Sequence, residues 1–146
     1  PAHAMLPLAT LGGRDLIFPI GTSDYQEITG RPFDLNQYNQ VARLFYQGDN
    51  DLNNALLFPD SYGDKERDIV ISLLGREVLP RARKTIEVFG QAGGKGIFIL
   101  DRGIGHQASP EMVAYIRDFL AANRESDRPV YPLPANPQQL QYTLFN

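Results

Sequence analysis

The stretch GIFILD, residues 96 to 101, constrains the fold more than any other part of the chain. It is an unbroken apolar run opened by Gly96 and closed by Asp101, the pattern of a strand buried on both faces. A strand of that kind needs hydrogen-bonded neighbours along its edges and covering layers on its faces. VARLFYQG (41 to 48) is one neighbour, with β-branched and aromatic residues ending at Gly48. DLIFPI (15 to 20) is a poorer one, because Pro19 has no N–H and belongs at a sheet edge or in an extended loop.

Three segments have helical spacing. DKERDIVISLLG (64 to 75) opens with acidic residues, repeats Ile69, Val70, Leu73 and Leu74 on one face, and stops at Gly75. A second helix starts near Pro80, carries Ile86 and Phe89 on one face, and ends at Gly93 and Gly94, with Arg81, Arg83 and Lys84 assigned to a solvated face. Ser109 before Pro110 is an N-cap followed by a first-turn proline, and Met112, Val113, Ile116, Phe119 and Leu120 continue the pattern to residue 123. The stretch from 21 to 40 reads as a long loop with one helical turn near 34 to 39.

Strand, two helices, strand and helix is the alternation of an α/β fold, here a partial parallel sheet flanked by helices. Two firm strands are few for a self-contained sheet, so its edges are expected to be completed by another polypeptide or by a second copy of this chain. The segment RPVYPLPANPQQLQYTLFN has four prolines in nineteen residues and is expected to be extended. Its end, Tyr142 to Phe145, either docks on a surface or adds an edge strand. The organisation expected is residues 1 to 6 as linker or expression-derived sequence, 7 to 126 as the α/β portion, and 127 to 146 as the Pro-rich extended tail.

Charge and composition exclude several classes. With 14 basic and 17 acidic residues, a formal charge of -3 and no long basic run, the chain has no electrostatic footprint for nucleic acid. No apolar run is long enough to span a bilayer. The absence of cysteine removes disulfides, thiolate metal sites and a cysteine nucleophile, and leaves the compartment open between cytoplasm and secretion after removal of a signal. QAGGKG and DRGIG are not phosphate loops, since one leads into a strand and the other lacks the Lys and Ser or Thr. No cofactor is expected.

In open α/β sheets the functional groups gather beyond the carboxyl ends of the strands. Two such segments follow the firm strands here, Gly48-Asp49-Asn50-Asp51 and Arg102-Gly103-Ile104-Gly105-His106. If the strands are neighbours, Asp51 meets His106 and orients its imidazole. The same acidic segment has a second reading as a calcium loop, with Asp49, Asp51, Asn53 and Asp60 at ligand positions, although Asn54 stands where such a loop has glycine. A third reading is Asx turns after a strand.

The segments LIFPIGTSDYQEITGRPFD, FYQGDNDLNNAL and IFILDRGIGHQAS, in that order, resemble the C-terminal half of a bacterial serine α/β-hydrolase-like protein over roughly residues 7 to 122. The resemblance implies an esterase-like acyl hydrolase, with Asp51 as the acid, His106 as the base and a small acyl or ester substrate. The chain departs from that pattern in having no G-x-S-x-G nucleophile elbow. Ser23, in IGTSDY, is the only serine placed like an elbow, because Ser61, Ser72, Ser109 and Ser126 lie at helix starts, within a helix or after one. The functional expectation is therefore the portion of a hydrolase that supplies Asp and His, joined by a nucleophile-bearing N-terminal portion. The alternative is a stand-alone, non-catalytic oligomeric or interaction module.

Overall fold

A computed structural model describes residues 5–58, 60 and 62–145. In chain order its elements are β1 (Thr10–Leu11), β2 (Arg14–Asp15), α1 (Tyr25–Thr29), α2 (Leu35–Tyr38), β3 (Leu44–Gly48), a 3-10 turn (Ala55–Leu57), α3 (Asp64–Leu74), α4 (Val78–Gln91), β4 (Gly96–Asp101), α5 (Pro110–Asn123) and β5 (Leu140–Phe145). They fall into two compact units. One comprises Pro1–Leu35 with Asn53–Gly94, the other Asn36–Leu52 with Lys95–Asn146.

The second unit is built on β4, all six residues of which are buried. It is the middle strand of a three-stranded sheet in the order β3-β4-β5. β3 runs parallel to β4, with Leu44 opposite Ile97 and Gly48 opposite Asp101. β5 runs antiparallel, with Leu140 opposite Asp101 and Phe145 opposite Gly96. On one face Ile97, Ile99 and Leu140 pack with Met112, Tyr115 and Phe119 of α5. That helix starts where its sequence says it should, with Ser109 Oγ accepting the Met112 N–H at 3.0 Å and Pro110 in the first turn.

The first unit holds the β1–β2 hairpin and the helix pair α3 and α4, which pack on each other. Its buried side chains include Leu6, Leu16, Ile20, Leu56, Val70 and Phe89. α3 ends at Gly75, and the chain beyond α4 turns at Gly93, whose φ of 77° suits glycine. At Gly94 a Cβ would stand 2.5 Å from the Phe89 ring, so glycine is needed for the close approach.

Two expectations are corrected, the parallel sheet and the solvated face for Arg81. The sheet is mixed rather than parallel, because its third strand is β5, drawn from the Pro-rich tail. DLIFPI, with an edge strand or an extended loop open to it, follows the second: only Asp15 lies in a strand, and Leu16 and Ile20 are buried in irregular structure. Of residues 1 to 6, 1 to 4 lie outside the described residues; Leu6 is fully buried and donates its N–H to the Ile20 carbonyl at 2.8 Å. Arg81 is not on a solvated face: it is 1% exposed, with its guanidinium on Asn54 Oδ1 at 2.9 Å and on the Gly75 and Arg76 carbonyls. Helical spacing placed Arg81 among charged neighbours without revealing that carbonyls from the α3–α4 connection converge on it. No described helix is long and apolar enough to cross a membrane.

Tyr115 ties α5 to the tail. Its ring is buried in the core, its hydroxyl donates to the Pro132 carbonyl at 2.8 Å, and burial pushes its pKa up to about 12. A tyrosine pKa raised in the folded state stabilises fully below the unfolded value near 10 and loses that contribution as pH rises toward 12. Stability measured by urea unfolding is expected to fall between pH 10 and about 12. In Tyr115→Phe the fall is expected to be shallower, with a cost at neutral pH of about 1 kcal/mol for the lost hydrogen bond. An equal alkaline slope in both proteins would exclude Tyr115 as its source.

Candidate active site

The parallel pairing of β3 and β4 puts both carboxyl ends side by side, and the two loops that follow are knit together. The Asp49 N–H donates to the Asp101 carbonyl at 3.1 Å, extending the ladder by one residue. The Asn50 N–H donates to the Ile104 carbonyl at 3.0 Å, and Asp49 Oδ1 accepts the Gly103 N–H at 2.7 Å. The loops can approach this closely because position 48 is glycine: a Cβ there would lie 2.4 Å from the carbonyl oxygens of Ile104 and Gly105. Gly103, with φ of 70°, makes the tight turn out of β4.

These loops bring Asp51 and His106 together. Asp51 Oδ2 lies 3.0 Å from His106 Nδ1 and also accepts from Gln47 Nε2 at 3.1 Å. An ionised carboxylate only accepts hydrogen bonds, so in this pair Nδ1 carries the proton and Nε2 of the neutral ring presents its lone pair. The carboxylate side chain is 11% exposed and the imidazole 70% exposed. The aspartate is thus the sheltered, orienting partner, and the histidine is the group that solvent can reach.

The loop carrying His106 is anchored along its length. At its start, the Arg102 N–H donates to the Gln139 carbonyl at 3.0 Å, and Gln139 Nε2 donates to the Arg102 carbonyl at 2.7 Å. Next to the histidine, the Tyr46 hydroxyl donates to the Gln107 carbonyl. At its end, the Ser109 N–H donates to Asp101 Oδ2 at 2.9 Å. Asp101 is fully buried, and its other oxygen accepts from Gln139 Nε2 at 2.7 Å. Its charge stands at the N-terminus of α5, where the helix dipole favours an anion. Burial raises the Tyr46 pKa, and the negative charges of Asp101 and Asp51 raise it further, so the phenol stays protonated as the donor its role requires.

Asp101, Tyr46, Gln47 and Gln139 were not singled out in the sequence. Only Asp101 leaves a signal there, as an acid closing an unbroken apolar strand, a position that equally marks a strand's boundary.

Of the other candidates Ser23, Asp49, Asn53 and Asp60, Asp49 alone shares the second unit with this pair. Ser23 belongs to the first unit, in a turn before the five-residue α1, with no strand leading into it. No described non-glycine residue has positive φ, so the strained backbone of a nucleophile elbow is not found at Ser23. Ser109 Oγ is used as a helix cap and Ser126 Oγ bonds the Arg128 carbonyl, while Ser61 lies outside the described residues. Of the calcium-loop residues, Asp49 and Asp51 belong to one unit and Asn53 and Asp60 to the other. Among the described residues no group of three or more His, Asp or Glu side chains comes together to hold a metal ion.

Compared with known protein families, curated proteins and solved structures, the chain matches none.

Asp101→Asn is expected to cost about 2 to 3 kcal/mol in urea unfolding, because one buried acceptor becomes an NH2 group facing an N–H donor. Tyr46→Phe, which loses one hydrogen bond, is expected to cost about 1 kcal/mol. In both variants the His106 ring resonances should broaden or shift in NMR spectra as the loop loosens. Unchanged stability and an unchanged ring environment in Asp101→Asn would remove Asp101 from the support of the site.

Proposed function

We propose that Asp51 and His106 are the acid and base of a Ser-His-Asp acyl-hydrolase site whose nucleophile comes from another polypeptide portion. The observation that carries this reading is the 3.0 Å contact from a sheltered carboxylate to Nδ1 of an exposed imidazole, at the carboxyl ends of two adjacent parallel strands. In such a site His106 Nε2 takes the proton of the serine hydroxyl as the oxygen attacks the acyl carbon, then returns it to the leaving group. Asp51 holds the tautomer and stabilises the imidazolium formed in between. The substrate class is a small ester or related acyl compound.

The sheet supports a second polypeptide portion. The Ile97 N–H donates to the Arg43 carbonyl at 2.9 Å, so along β3 residues 43, 45 and 47 turn their backbone groups toward β4. The N–H and C=O groups of Leu44 and Tyr46 then face outward, and among the described residues they have no backbone partner. A strand added parallel at that edge would end beside Asp51, where the third member of the site is needed. A second reading, a non-catalytic interaction module, is favoured by the other open edge of the sheet, along β5.

The test is ester cleavage by the chain itself. With Nε2 exposed and oriented, the protein is expected to cleave p-nitrophenyl acetate slowly through attack by the imidazole, without inhibition by a fluorophosphonate. Activity should drop to background in His106→Ala and fall severalfold in Asp51→Asn. Fluorophosphonate labelling lost in Ser23→Ala would contradict the proposal and make Ser23 the nucleophile. Activity unaffected by His106→Ala would remove the base.

A further inference from the structure

β5 is an edge strand without the features that usually protect an edge. Its six residues, LQYTLF, contain no charge and no proline, and they pair with β4 in continuous register without a bulge. Charge is absent well beyond the strand, since residues 129 to 146 include no Asp, Glu, Lys, Arg or His. Gln141, Tyr142 and Thr143 are exposed.

The pairing pattern shows which backbone groups are open. Because the Arg102 N–H donates to the Gln139 carbonyl, the hydrogen-bonded pairs along this ladder are Leu100 with Gln141, Phe98 with Thr143 and Gly96 with Phe145. The backbone groups of Leu140, Tyr142 and Leu144 point the other way. The Leu140 N–H is taken by the Asn136 carbonyl at 2.9 Å, whereas the N–H and C=O of Tyr142 and Leu144 have no backbone partner among the described residues. Two open donor and acceptor sites spaced two residues apart are the template for one added strand.

We propose that β5 pairs antiparallel with β5 of a second copy of this chain, about a twofold axis at Thr143. The symmetry follows from the open positions. With Thr143 opposite its own copy, Tyr142 falls opposite Leu144 of the second copy and Leu144 opposite its Tyr142, so both open sites on each strand are filled together. The cross-strand pairs that result are aromatic with aliphatic on one face and threonine with threonine on the other, both favourable combinations. A second copy fits because an uncharged strand meets no like charge in itself and offers nothing to steer a charged partner. Tyr142, 41% exposed, adds apolar surface to the contact. The two three-stranded sheets become one of six strands. The pairing leaves the β3 edge and the Asp51–His106 pair open, and it holds whether or not that pair serves acyl transfer.

Because the chain has no cysteine, a single introduced cysteine can form a disulfide only between copies. Thr143 faces its copy at a non-hydrogen-bonded position, where Cα atoms lie about 4.5 Å apart, within disulfide reach. The two Gln141 residues would be about 14 Å apart, four strand positions removed. The experiment is sedimentation velocity of the wild-type chain over a concentration series, with mild oxidation of Thr143→Cys and Gln141→Cys. The expected result is a dimer that grows with concentration and rapid covalent dimer formation by Thr143→Cys alone. Tyr142→Pro removes an outward N–H and no bond to β4, so it should give a monomer whose circular dichroism matches the wild type. A wild-type chain monomeric throughout the series would overturn the proposal. So would a dimer in which Gln141→Cys crosslinks as readily as Thr143→Cys. If Tyr142→Pro fails to fold, the two cysteine variants still decide the question.

Discussion

Everything distinctive in the second unit depends on the parallel pairing of β3 with β4 and on its continuation past the ends of both strands. Ladder pairing alone would place Asp51 and His106 near each other. The bonds from Asn50 to Ile104, from Gly103 to Asp49 and from Asp49 to Asp101 turn nearness into a fixed 3.0 Å contact. Gly48 permits this at the cost of a side chain, since any Cβ would strike the carbonyls of the opposing loop. The pair made this way is sheltered at the carboxylate and open at the imidazole.

The buried Asp101 shows how the same strand end serves two tasks. Its backbone carbonyl holds the loop of Asp51, and its side chain holds the start of α5 and the turn into β5. A fully buried carboxylate is costly unless its oxygens are satisfied, and here two N–H donors and a helix N-terminus meet that need. Losing either donor would disturb the sheet and the histidine loop together. That coupling joins the stability of this unit to the geometry of its candidate site.

How much could be read in advance varied with the kind of signal. The apolar run of β4, the glycine at the end of α3 and the Ser109-Pro110 start of α5 are local signals, and each element stands where they put it. The positions of Asp51 and His106 were readable because strand ends and glycines mark loops, and their contact follows once β3 and β4 are neighbours. β5 was only one of two fates open to the tail end, because prolines obscure a strand that begins after the last of them. Arg81 and Asp101 were misread or passed over for the same reason: burial of a charged group is decided by carbonyls and amides distant in sequence, which no local pattern reveals.

The most direct test of the Asp51–His106 pair is long-range proton–nitrogen NMR of the His106 imidazole, recorded where the ring is neutral. A contact with Asp51 requires the proton on Nδ1, with Nε2 showing the shift of an unprotonated nitrogen, and requires Asp51→Asn to change that tautomer balance. A ring protonated on Nε2, or one indifferent to Asp51→Asn, would mean that the two residues are neighbours without being partners.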